Sequence, residues 1–215
     1  GHLIHQADNH RGSFRGLGFE LCTDAWGGLR AARGVMLSTF GLGNGLGQTS
    51  IPAGDNAPGM ALAKQAQQLA STFHQAASTH QTVGLATAAG SLGGNKSNLD
   101  DKAAPAAALT KSLSGMVSTS NLSNAHADAA DKATGTGQSK VPHMADPNIA
   151  LVGKAGIGLT AGQDLHLSAQ DTAQIASGQD THFAVGGQAR IHTGQAIGVL
   201  AGAIQPGAEA AGKGL

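Results

Sequence analysis

The sequence predicts a mainly β chain: an intertwined homotrimeric triangular β-helix, or β-prism, built from eight-residue repeats and interrupted by an α-helical insertion. Three observations lead there. From Asn148 an apolar side chain returns at every eighth residue through seven repeats without a gap. A glycine sits at the same place in most of those repeats. Large side chains are scarce, with 33 glycines, no tyrosine and only 3% aromatic residues in a chain of 215.

Glycine stands at about twice its usual share. Small side chains cannot fill a thick core, because large apolar residues supply most buried area. A thin, repetitive architecture suits them better. Disorder normally accompanies few aliphatics and a high net charge. Here the formal net charge is zero, and Leu and Ile recur at regular places. Balanced charge gives no electrostatic case for nucleic acid or an anionic membrane, so no nucleic-acid partner is expected. A single cysteine, Cys22, excludes an intramolecular disulfide. No apolar run approaches the length of a membrane span, and no signal peptide is recognised. The chain opens on Gly1 and closes on "AGKGL", which resembles the start of another repeat, so it reads as an internal fragment of a longer protein.

Residues 1–40 are expected to start the rod. In "GFELCTDAWGGLRAARGVMLST", Leu21, Leu29 and Leu37 lie eight apart, each two residues beyond Phe19, Gly27 and Val35. The phase stops after Thr39. Residues 41–140 then read as a helical insertion with flexible linkers. "GLGNGLGQTSIPAGDNAPG" is a Gly/Pro/Asn-rich connection. Between Met60 and Val83 the apolar spacing changes to alternate fours and threes, a helical stripe. A second stripe runs from Leu99 to Val117, with Pro105 tolerable in a first turn. A third, weaker helix covers Leu122–Ala133. The plainest reading packs these helices on each other and on the rod. Leu62, Leu69, Phe73 and Leu113 form a candidate partner surface.

The repeats occupy residues 141–205, and 206–215 are a break or the start of more. The octads read NIALVGKA, GIGLTAGQ, DLHLSAQD, TAQIASGQ, DTHFAVGG, QARIHTGQ and AIGVLAGA. Their fourth position is Leu151, Leu159, Leu167, Ile175, Phe183, Ile191 and Val199, always apolar. The second position begins Ile149, Ile157 and Leu165. Alternation over positions two to five is the signature of a short strand with one face inward. Glycine at position seven supplies a corner. Fixed strand-and-corner units stack as solenoids. A lone chain with three octads per turn would make barely more than two turns and leave large open edges. Three chains winding together, each giving one octad per face, would bury the second- and fourth-position side chains on a three-fold axis. That arrangement is preferred, and seven layers at about 4.7 Å give a rod of roughly 30 Å. Its core residues are Leu21, Leu29, Leu37, Ile149, Leu151, Ile157, Leu159, Leu165, Leu167, Ile175, Phe183, Ile191 and Val199.

Ten histidines invite a metal reading. His166, His182 and His192 point outward by the alternation, off any axis. His2, His5 and His10 with Asp8 lack a fixed ligand spacing and suit a solvated strand-edge turn. His80 fits a partly buried helix end. The glycine runs lack the Lys-Ser/Thr of a phosphate loop, and no Gly-x-Ser-x-Gly elbow occurs. Cys22 has no general base near in sequence. A convex rod offers little of the concavity an active site needs. No catalytic, cofactor or metal site is expected, and no enzymatic activity; a solenoid hydrolase is the less favoured alternative.

The opening "RGSFRGLGFEL", continued by "TDAWGGLRA", together with the octads, resembles the VgrG spike-tip family of bacterial type VI secretion systems. The matching segment follows that family's phage-like hub. Family members more often carry a basic residue where Cys22 stands and Ala where Gly28 stands, and the helical middle is the least matched part. The resemblance implies a rigid homotrimeric needle that punctures membranes and delivers effectors. It implies an Hcp tube below, a PAAR-repeat protein at the tip, and an effector or adaptor as cargo, for which the helical insertion is the alternative docking module. It also implies residence in the bacterial cytoplasm before firing and secretion afterwards.

Overall fold

Two antiparallel strands open the chain, β1 (His2–Ala7) and β2 (His10–Leu17), paired from Ala7 opposite His10 to His2 opposite Leu17 with register shifts on either side of Ile4. Only Asp8 and Asn9 separate them in sequence, a pair typical of tight hairpin connections. This is a computed structural model, and it describes residues 2–7, 10–17, 19, 21–41, 54–89 and 99–201. Side chains of β1 and β2 lie outside that description, as do those of His2, His5, Asp8 and His10. The chain divides into two units, Gly1–Ala31 and Ala32–Leu215. In the first, the chain bends at 24–25 after the hairpin. There the Ala25 N–H donates to Thr23 Oγ1 at 3.1 Å.

The second unit is tied together by a parallel pair. β3 (Val35–Ser38) lies beside β6 (Ile149–Val152), with Val35 opposite Ile149 and Leu37 opposite Leu151. Second-position residues therefore face second-position residues, and fourth face fourth. Val35 N–H donates to the Asn148 carbonyl at 2.9 Å, and Thr39 N–H to that of Val152 at 3.0 Å. The chain leaves this sheet after Ser38 and re-enters it on the adjacent strand at Ile149, in register. Gly34, at φ +114°, is required at this junction: a Cβ there would lie 2.9 Å from the Asn148 carbonyl oxygen.

Between these strands stands a helical module. α1 (Ala57–Thr79) begins with Pro58 in its first turn, where a missing N–H costs nothing, and the Asp55 carboxylate accepts the Ala57 N–H at 2.8 Å. It ends at His80, earlier than the stripe to Val83 predicts, because Gln81 turns into the left-handed region at φ 54°. The chain then folds back, and Leu85 N–H donates to His74 Nδ1 at 3.2 Å. α2 (Pro105–Ser112) is shorter than the stripe Leu99–Val117. Pro105 is a starter rather than an interior residue. Val117 lies instead on β4 (Gly115–Ser118), paired antiparallel with β5 (Lys140–His143). α3 (Leu122–Ala130) is capped by Asn121, whose side chain accepts the Asn124 N–H at 2.8 Å. The Asp128 carboxylate accepts the Ser118 N–H at 2.7 Å and pairs with Lys140 at 2.5 Å, joining α3 to both strands.

The core of this unit is alanine. Ala70, Ala76, Ala77 and Ala108 are buried, and the largest fully buried side chain among the described residues is Ser112. Past Val152 no further strand is formed among the described residues. The expected mainly β architecture is therefore not formed by ladders within one chain.

Candidate assembly interface

The octad segment bends at 154–155, 162–163, 170–171, 178–179, 186–187 and 194–195, once every eight residues. These are the seventh and eighth positions of each octad, where glycine recurs. The same interval separates the bend at 24–25 from the turn at 32–33. The alternation is visible on β6: Ala150 is buried, whereas Ile149 is 77% exposed and Leu151 49%. One face is thus spent inside the chain and the other left open.

The thirteen residues predicted for a shared core are exposed in the single chain, whichever unit they belong to. Leu21, Leu29 and Leu37, Ile149 and Leu151, Ile157 and Leu159, Leu165 and Leu167, Ile175, Phe183, Ile191 and Val199 are each about half exposed or more. Val185, at 56%, adds to the apolar exposure of the octad segment, and Trp26, at 91%, to that of the first unit. Along the octad segment, an apolar row of this length marks an interaction surface. Between Val152 and Leu200 the segment forms no strand among the described residues, so its backbone there is open to ladder partners.

The helical module lies along this segment and meets it at three places. Near the start of α1, Gly59, Leu62 and Ala63 face Ala150 and its neighbours across a groove of about 370 Å³, which Leu109, Leu113 and Ile157 also line. Further on, Ala63, Ala66 and Gln67 face Asp171, Thr172, Gln174 and Ala176 across a cavity of about 520 Å³. Beyond the end of α1, Gly198 abuts Val83 and Thr82 so closely that a Cβ there would lie 2.7 Å from Val83 Cβ. Ala150, Gln174 and Gly198 are 24 residues, or three octads, apart. The path therefore comes back to the same side after every third octad, as a three-sided coil does. From Gly59 to the end of α1 is 20 residues, about 30 Å at 1.5 Å per residue, so the two turns between Ala150 and Gly198 climb about 15 Å each on average. Strand layers are about 4.8 Å apart, so roughly three layers fit within one turn.

A polar latch holds the first octad to the module. Asn148 Nδ2 donates to Ser112 Oγ at 2.6 Å, and Ala145 N–H to the Ser112 carbonyl at 2.8 Å. Lys132 Nζ pairs with Asp146 at 2.6 Å and donates to the Leu99 carbonyl at 3.1 Å. Of the predicted partner surface, Leu62 and Leu113 line the groove, with Leu62 44% exposed; Leu69 and Phe73 are half-buried outside it. Sequence reasoning missed Ala63, Ala66, Leu109 and Gly198, although the 24-residue recurrence is implicit in any three-sided octad coil. His166, His182 and His192 are exposed, and His80 caps α1 half-buried. Among the described residues no three His, Cys, Asp or Glu side chains come together as a metal site would require. Cys22 is an exposed free thiol.

Comparison with known proteins places this geometry. Residues 1–77 match the family of the type VI secretion system Rhs element Vgr, and residues 136–214 match an uncharacterised family conserved in bacteria, DUF2345. The fold matches a VgrG spike from the type 6 secretion system solved with the Tle1 effector bound, at TM-score 0.62 and 20% identity, over 93% of this chain and 47% of that one. It also matches a VgrG spike at TM-score 0.58 and 18% identity, over 93% of this chain and 57% of that one. The likeness to the two VgrG spikes is one of fold, and the Vgr family's sequence pattern covers the first 77 residues. The chain spans about half the length of the two VgrG structures. No curated protein sequence matches it. The two family matches leave residues 78–135 uncovered, so α2, β4 and α3 are the part least typical of VgrG chains.

Proposed function

We propose that this chain is the β-prism segment of a type VI secretion spike, three copies of which wind into one rigid needle. The 24-residue recurrence carries the reading. A lone chain coiled on itself would climb one strand layer, about 4.8 Å, in 24 residues. The climb along α1 is about three times that. Successive passes of one chain over a face are then separated by room for two further strands, the number that two partner chains supply. Residues 1–40 and 141–205 would form the rod, with 41–140 inserted, and the thirteen exposed octad residues would converge on its axis.

The function of such a rod is mechanical. Strands lie across the axis and their hydrogen-bond ladders run along it, so an axial load compresses ladders shared between chains. No chain unfolds separately, because its core exists only in the assembly. The family implies the remaining partners: an Hcp tube beneath, a PAAR-repeat tip above, and assembly in the bacterial cytoplasm before ejection during effector delivery. No catalytic step is part of this role. Light scattering on the purified chain tests the reading, with a mass of three times 21.2 kDa expected. A monomeric mass overturns it.

Cargo is the second reading. One of the solved VgrG spikes carries an effector, and the module here leaves Leu122 on α3 72% exposed. A secretion assay with residues 55–140 deleted tests whether the module docks an effector or adaptor; unchanged cargo export would exclude it.

A further inference from the structure

The two openings between module and rod have a specific shape. Each is roofed by α1 and α2. The first is bounded by the octad at Ala150 and the second by the octad at Gln174, and Ala63 and Leu109 line both. Sharing those two residues, they adjoin one another between the first and fourth octads of a single chain. Their roof is small and apolar, with Ala63, Ala66, Leu62 and Leu109 presented to it, and the last two are 44% and 46% exposed. A monomeric unit whose buried core is alanine gains little by leaving leucines over an empty gap.

From this we infer that the helical module of each subunit is a clamp on its two partners: it closes over the second octad of one partner and the third octad of the other. The inference rests on the three-chain rod proposed above. In that rod the octads of all three chains share layers, so the strands between the first and fourth octads on one face are a second octad and a third octad from the other two chains. Those octads are GIGLTAGQ and DLHLSAQD. Their axis-facing residues are Ile157, Leu159, Leu165 and Leu167. The residues turned outward, toward the module, include Thr160 and Ser168, whose size suits a roof of alanines. Continuity supports the same occupant, because Ile149, Leu151 and Ile157 line the gap and also belong to the row assigned to the axis. The clamp makes residues 78–135, uncovered by either family match, part of how subunits hold one another. Its apolar roof is then unavailable to cargo, which leaves the outer side of α3.

Interchain disulfides test this. Two versions of the chain, both with Cys22→Ser, are co-expressed with different tags. One carries Ala66→Cys on α1, and the other Ser168→Cys on the third octad. A chain carrying both Gln67→Cys and Gln174→Cys serves as the within-chain control, since both residues line one cavity. On mild oxidation the clamp predicts a covalent heterodimer of twice the chain mass on a non-reducing gel, and the control predicts a cross-linked monomer. If particles keep a three-chain mass and the control closes, but no heterodimer forms, the clamp is wrong and the rod stands. A monomeric mass without heterodimer overturns both.

Discussion

Leu167 separates a shared rod from a single-chain coil better than any other side chain, because the two arrangements assign it opposite environments. In the isolated chain it is 78% exposed. Truncating an exposed side chain usually changes stability by no more than about 0.5 kcal/mol. In the three-chain rod it faces the axis at the fourth position of its octad, in contact with its two copies. Leu→Ala in a packed core costs about 2–5 kcal/mol, and three copies lose it in one layer, so the assembly loses roughly 6–15 kcal/mol. Per chain, at about 2–4 °C of melting temperature for each kcal/mol at this length, Leu167→Ala is expected to lower Tm by roughly 4–20 °C. The assay is thermal unfolding followed by far-UV circular dichroism, with light scattering on the same samples. Gln163→Ala, at an exposed corner, is the companion substitution and leaves Tm unchanged. If Leu167→Ala melts within 1–2 °C of the parent and keeps its mass, the octad side chains do not meet on an axis, and the derivation of the needle fails with them.

Three further outcomes follow from the module and its attachments. Gly198→Ala places a methyl 2.7 Å from Val83 Cβ and 3.1 Å from Thr82 Oγ1, so overpacking of about 1–3 kcal/mol is expected, read as a Tm several degrees lower. Ser112→Ala removes the acceptor of Asn148 Nδ2 at a fully buried site and costs about 1–3 kcal/mol in the same measurement. The hydrogen bond from Lys111 holds the Asp100 carboxyl below its usual value, and that from Lys140 does the same for Asp128. Carboxyls depressed in the folded state stabilise it above the unfolded value near 4, and that contribution disappears as pH falls through the folded value. Tm should therefore be flat from neutral pH to about 5 and fall below about pH 4, with a shallower fall in Asp128→Asn.

The octads were legible because every rule that shapes them acts within eight residues. An apolar residue at positions two and four, a polar one between and a glycine at the corner need no knowledge of the rest of the chain. The bends from 154–155 to 194–195 fall where those glycines predict. α1 was legible for a similar reason, since its stripe persists over several turns. α2 was not, because a stripe of alanines and threonines from Leu99 to Val117 continues smoothly across a proline and into a strand. Pairing of β4 with β5 joins residues more than twenty apart and is carried by Gly115 and Ser118, which advertise no strand. The hairpin of β1 and β2 had a local signal, Asp8–Asn9, that the octad phase starting at Phe19 overshadowed. The groove under Leu62 and Leu109 depends on where α1 and α2 come to rest against the rod, and no periodicity in the chain encodes that.

A thin core and a load-carrying role would conflict if the load fell on each chain's own packing. They agree when the packing is distributed. An octad contributes only two apolar side chains to its layer, so a single layer is weak, but a chain cannot leave one layer without leaving all of them. The module strengthens this by spanning layers. α1 is about 34 Å long and the seven octads about 33 Å, so one continuous helix reaches from the first octad to the seventh. Sliding one chain along the axis by a single layer would keep its ladders intact, since parallel strands of equal phase pair equally well one step on. It would not keep Gly198 under Val83, nor Asn148 on Ser112, because these contacts occur once per chain and not once per octad. A repeat that is uniform enough to build a straight needle is also uniform enough to slip, and non-repeating contacts at both ends of α1 supply the register that the octads by themselves lack.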